Sequence, residues 1–180
     1  MTKKSKMSKR FKPTLQQRIE ATRFVAYELW MLRECADMPR PETRVAKNLW
    51  YEGLVLHTRV LRDFFFTKHN DDGKRVTHDR DIVAVDYFTL TTSSWPYTSH
   101  DLPPYLKQNK DRMDCALALL SFGRLDYIGQ DKDWSPVRLR DEIGAKWFEF
   151  LTKLQTLKEP AAAWFLEQAQ RLKDPLVAPF

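Results

Sequence analysis

A stripe of apolar residues between Val45 and Phe65 constrains this chain more than any other feature. Val45, Leu49, Trp50, Leu54, His57, Leu61, Phe64 and Phe65 recur mostly at three- and four-residue steps, the repeat of a helix laid against a core. The spacing predicts a helix from about Pro41 to Thr67 whose last turn, Phe64-Phe65-Phe66, is apolar all round and therefore deeply buried. A second stretch, Arg112 to Arg124, carries Met113, Leu117 and Leu120 at the same steps, continued by Leu125. Its small residues Ala116 and Ala118 would let a neighbouring helix come close. The two stretches read as packing partners.

Helix-forming residues dominate the rest of the chain, which has five glycines in 180 residues. Thr14 followed by Gln17 forms a capping box for a first helix with Ile19, Phe24, Tyr27, Leu29, Trp30 and Leu32 as its apolar stripe. Pro39 and Pro41 end that helix, since each disfavours helix in the residue before it. The third helix covers about Pro104 to Tyr127. Ser135 caps a fourth, with Pro136 in its first position and Ile143, Trp147, Phe148, Phe150, Leu151 and Leu154 facing inward. Glu159-Pro160 breaks the pattern before a last helix, Ala161 to Leu172. Asp79 to Phe88 is too short for its period to decide between helix and strand, and Trp95 is expected to tuck onto the core. The fold class that follows is all-α, a bundle of four to five helices with one irregular insertion.

Apolar residues make up 43% of the chain and aromatics 13%, too much for a disordered protein. The net charge of +6 comes from the start: Lys3, Lys4, Lys6, Lys9, Arg10 and Lys12 precede the first acid, and residues 13–180 balance 24 Lys and Arg against 24 Asp and Glu. Residues 1–12 are therefore expected as a basic disordered tail on a single helical-bundle domain, 13–180. The tail is the candidate nucleic-acid-binding segment, able to attract RNA, DNA or an acidic partner at long range; the plainer reading is a solvated, disordered start. Cys35 and Cys115 are far apart and outside any CxxC pattern, as reduced thiols of a cytoplasmic protein would be. No apolar run reaches the ~20 residues of a membrane span.

His57 lies on the apolar stripe of the second helix, where it is either an acid or base in a cleft or a core histidine bonded to a carbonyl or carboxylate. Arg59 and Asp63 stand four apart, as an intrahelical pair would. With Asp114 and Ser121 they are the expected members of a structural polar network. Ser121 lacks the elbow of a serine nucleophile. Arg112 and Arg124 are candidate phosphate-binding cations. His69, Asp71 and Asp72, in the polar run Lys68 to Lys74, lack the order of a calcium loop, so no metal and no cofactor are expected.

Three ordered segments, LHTRVLRDFFF (Leu56 to Phe66), HDRDIVAVDYF (His78 to Phe88) and RMDCALALLSFGR (Arg112 to Arg124), resemble a recurring bacterial family of small helical proteins. The last is similar to the Arg-x(4 to 6)-His signature of the HEPN superfamily of helical bundles. That resemblance implies an HEPN-like bundle, often dimeric. In many members the Arg and His make a metal-independent RNase of toxin, defence or RNA-processing systems. Here Arg112 aligns, but Leu119 stands where that histidine would, and Asp114 where an Asn is expected; a leucine transfers no proton. The expectation is a non-catalytic HEPN-like module that binds a protein partner or RNA and forms a homodimer, without a membrane. The alternatives are a degenerate RNase using His57 with Arg112 or Arg124, and a bundle whose polar residues are purely structural.

Overall fold

Thr14 and Gln17 cap each other as their spacing predicts. The Thr14 Oγ1 accepts the Gln17 N–H at 3.2 Å and the Gln17 Oε1 accepts the Thr14 N–H at 2.8 Å, satisfying donors that a helix start leaves exposed. A computed structural model describes residues 13–66, 81–89, 95–117 and 134–172. Among these, the chain forms five α-helices, one 3-10 turn and no β-strand: α1 (Leu15–Asp37), α2 (Arg44–Phe65), the turn Ala84–Tyr87, α3 (Pro104–Leu117), α4 (Pro136–Thr156) and α5 (Ala161–Leu172). The all-α bundle expected from the sequence is the architecture observed.

Local chemistry sets most of the boundaries. Thr43, rather than Pro41, starts α2: its hydroxyl accepts the Ala46 N–H at 3.2 Å. Ser135 caps α4 by accepting the Arg138 N–H, with Pro136 in the first turn. The start of α3 is closed from outside, because both carboxylate oxygens of Glu142 on α4 accept the Tyr105 and Leu106 N–H groups at 2.9 and 2.8 Å. The segment left open between helix and strand is neither. It makes a single 3-10 turn in which the Asp86 carboxylate accepts the Val83 N–H, and it buries Val83, Ala84, Tyr87 and Phe88. Trp95 sits on the core, and its Nε1–H donates to the Phe65 carbonyl at 2.7 Å, taking up an end-of-helix acceptor of α2.

The core is centred on rings. Phe150 of α4 is fully buried and meets Phe64 and Phe65 of α2, Tyr87 and Phe88 of the turn segment, Trp95, and Phe165 of α5, with centroids 5.4–6.2 Å apart in mostly edge-to-face contacts. Around it, α1 lies against α2, α4 and α5, and α3 against α2 and α4.

Several residues expected inside lie outside. Phe24 and Tyr27 of α1, Val45 and Leu49 of α2 and Phe148 of α4 are exposed. Smaller groups take the inner arc of α1: Ala21, Val25, Ala26, Leu29, Leu32 and Ala36. Small residues there let α2 and α5 approach, and the aromatic positions rotate outward.

Phe150→Ala is expected to cost about 3–5 kcal/mol, the range for removing a packed aromatic, whereas Phe148→Ala, two residues away, should stay within about 0.5 kcal/mol. Urea unfolding followed by far-UV circular dichroism measures both; equal costs would contradict the orientation of α4.

Candidate functional site

Charge collects where α2 meets α3. Arg62 is 2% exposed, yet it is a full cation, and a buried guanidinium has to be matched. Its Nε and Nη2 donate to Asp63 Oδ1 at 3.0 and 2.9 Å, and Nη2 also donates to Asp114 Oδ1 on α3 at 2.8 Å. Two further cations approach the same carboxylate: Arg59 Nε stands 3.5 Å from Asp114 Oδ1 and Lys110 Nζ 3.5 Å from Oδ2. Burial pushes the Asp114 carboxyl up, but the hydrogen bond and charge of Arg62, then Lys110 and Arg59, outweigh it and hold the group below the ordinary 3.8. Burial likewise works against the Arg62 charge, and Asp63 and Asp114 outweigh it. Among the described residues the buried Arg62 Nη1 has no hydrogen-bond partner.

The expected Arg59–Asp63 pair is replaced. Asp63 turns to Arg62 and Arg59 turns to Asp114. An intrahelical pair contributes only about 0.2–0.5 kcal/mol, far less than an unmatched buried guanidinium would cost. Arg59, Asp63 and Asp114 are thus brought together around a residue the sequence reading passed over. The available signal was angular: Arg62 falls on the arc of α2 that also carries the buried Tyr51, Val55 and Thr58.

His57 faces the other way. It is 7% exposed, its Nδ1 lies 2.7 Å from Glu28 Oε2 on α1, and its ring meets the Tyr27 ring edge-on at 6.1 Å. The carboxylate orients the imidazole. Nothing in the spacing of Glu28 announced it. Arg112 lies on α3 with its guanidinium 4.3 Å above the Trp134 ring, while Asp114, two residues on, points to α2. The structure therefore places His57 at α1 and Arg112 beside Trp134, in different surroundings. Arg124, Ser121, Leu119, the loop residues His69, Asp71 and Asp72, and the tail cations Lys3, Lys4, Lys6, Lys9, Arg10 and Lys12 lie outside the described residues. Cys35 and Cys115 are free thiols. Among the described residues no three His, Cys, Asp or Glu are placed to hold a metal ion, and no helix is long and apolar enough to cross a membrane.

The second candidate is apolar. Phe24 and Tyr27 on α1 and Val45, Leu49, Leu56 and Val60 on α2 are each 41–71% exposed. On both helices the core residues lie to one side of the Glu28–His57 contact and these six to the other. They lie on the outer side of the α1–α2 hairpin, spread over about 22 Å of α2 at 1.5 Å per residue and one turn of α1, with the exposed Glu52 between Leu49 and Leu56. Hydropathy alone did not separate this outer stripe from the core-facing one.

Compared with protein-family models, with curated proteins and with solved structures, the chain matches none.

Asp114→Asn keeps the shape of the side chain and removes its charge. It is expected to cost about 1.5–3 kcal/mol at pH 7, the value of a hydrogen bond to a charged group. Because the folded pKa of Asp114 is lowered, its contribution is present above the unfolded value near 4 and is lost as pH falls through the folded value. Urea titrations of the two proteins should therefore differ at pH 7 and converge toward pH 3; a gap that is constant with pH would remove Asp114 from the clasp.

Proposed function

We propose that this chain is a non-catalytic, HEPN-like helical module that binds a protein partner, and that its buried charges serve the bundle. The observation that carries this reading is the outer face of the α1–α2 hairpin. Six large apolar side chains stand in water there on two adjacent helices. Soluble monomers rarely expose apolar patches beyond a few hundred Å², and covering such surface yields about 25 cal/mol per Å². The exposure recurs along α2 from Val45 to Val60 and is joined by one turn of α1, a spacing that suits a helical partner.

The residues considered for chemistry support the same reading. His57 is held by Glu28 on the α1 side, Arg112 lies on Trp134, and Leu119 stands where the superfamily pattern has its histidine. Cleavage of RNA by attack of the ribose 2′-hydroxyl needs a proton-transfer group and a phosphate-binding cation at one phosphate. The degenerate-RNase alternative lacks that juxtaposition between His57 and Arg112. RNA binding would draw on the cations of residues 1–12, since the rest of the chain is charge-balanced.

Incubation with a mixed-sequence RNA in EDTA tests the non-catalytic part of the proposal. Neither the intact protein nor His57→Ala should degrade the RNA faster than buffer does. Cleavage by the intact protein that disappears in a still-helical His57→Ala variant would contradict the proposal and restore the RNase.

A further inference from the structure

We infer that the outer line of α2 receives one amphipathic helix of a different protein, a helix that carries a Lys or Arg midway along its apolar stripe; this rests on the reading of that face as a binding surface. The first observation is spacing. Val45, Leu49, Glu52 and Leu56 are all exposed and follow one another at steps of four, three and four residues. Those are the steps of a coiled-coil seam, in which each side chain enters a gap on the facing helix. Val60 extends the line by one more turn. The residues that α2 gives to the core, among them Trp50, Leu54 and Leu61, lie on the opposite arc. The seam is therefore open to a partner without disturbing the bundle.

The second observation is the charge in the middle of that seam. The helical neighbours of Glu52 at three and four residues are Asn48, Leu49, Val55 and Leu56, and none is a cation. Lys47, five residues back, stands about 140° around the helix from it. The exposed Arg44 lies about 12 Å away along the axis, and Arg59 is turned to Asp114. Asp63 is paired with Arg62 and Glu34 with Arg33, while on α1 the exposed Glu20 and Arg23 balance by count. Glu52 is thus the charge on this line that its own helix does not compensate.

That carboxylate selects the occupant. A purely apolar helix laid over it would strip water from a charge and return nothing. A Lys or Arg at the facing position supplies the missing counter-charge. A second copy of this chain is disfavoured by the same residue. An antiparallel pairing of two such lines sets Val45 against Val60 and Leu49 against Leu56, but brings the two Glu52 carboxylates together at the centre. A parallel pairing in register sets them side by side. Like charges at a seam discriminate against that partner, and the opposite charge favours the other.

Fluorescence anisotropy with two labelled synthetic helices tests the inference. Each copies the seam spacing, with Leu at the four apolar places and either Lys or Glu at the place of Glu52. Titrated with the full chain up to roughly 100 µM, the Lys peptide should bind about tenfold or more tightly than the Glu peptide. Glu52→Lys should reverse that preference. Leu56→Glu should weaken the bound peptide by roughly tenfold or more while far-UV circular dichroism stays helical. Phe148→Ala, at an exposed position of α4, should change neither peptide. Equal binding of the two peptides, or a preference that survives Glu52→Lys, would overturn the inference; if Leu56→Glu still weakens them, the face remains a binding surface with a different partner. Binding of neither peptide, or binding indifferent to Leu56→Glu, would overturn the helical-partner reading of the face as well.

Discussion

Phe150 is the ring on which the described parts of the chain converge. It stands on α4 and touches aromatic side chains from α2, the 3-10 turn, the Trp95 segment and α5. The connection from α2 to α3 carries little regular structure among the described residues, and such a segment needs tertiary anchors. Tyr87, Phe88 and Trp95 supply them, each by laying a ring on Phe150 or its neighbours. Glu159, itself buried, adds a polar anchor by accepting both the Thr89 N–H and the Thr89 hydroxyl. The aromatic centre therefore determines where α2 ends, and with it where the charged residues of the last turns of α2 lie.

Those charges complete the packing of α3. Arg62 is buried because the helix turns it inward, and once inward it needs Asp63 and Asp114. Such a clasp contributes little net stability compared with apolar residues of the same volume, but breaking it is costly because a charge is left without a counterpart. It joins the last turns of α2 to the middle of α3 through Arg59, Arg62 and Asp114. His57 and Glu28 play a similar part between α1 and α2. Both contacts use residue types that also do chemistry, which is why the composition of this region invites an enzymatic reading.

What could be read from the sequence was what depends on neighbours in the chain. The Thr14–Gln17 box, the Ser135-Pro136 start and the limits of α5 rest on hydrogen bonds and dihedral preferences within a few residues. The burial of Trp95 also followed from its size. The inner arcs of the helices were less legible, because α1 and α2 carry large apolar groups on two sides: Phe24, Tyr27, Val45 and Leu49 satisfy a helical period as well as the buried residues do. The partners of the charges were not legible at all. Arg62 and Asp114 are 52 residues apart and His57 and Glu28 are 29 apart, while Asp63 beside Arg59 offered a local pair that the fold does not use.

The same double-sided pattern that misled the assignment of the core gives the protein its proposed role, with one arc of the α1–α2 hairpin building the bundle and the other left exposed for a partner. Site-specific photo-crosslinking is the most direct measurement of that division. Benzoylphenylalanine in place of Leu56 should, on irradiation of the full chain in a cell lysate, give an adduct with a partner protein. The same group in place of Phe148 should give none. Adducts of equal yield from both positions, or none from position 56, would contradict a binding surface on the outer face of α1 and α2.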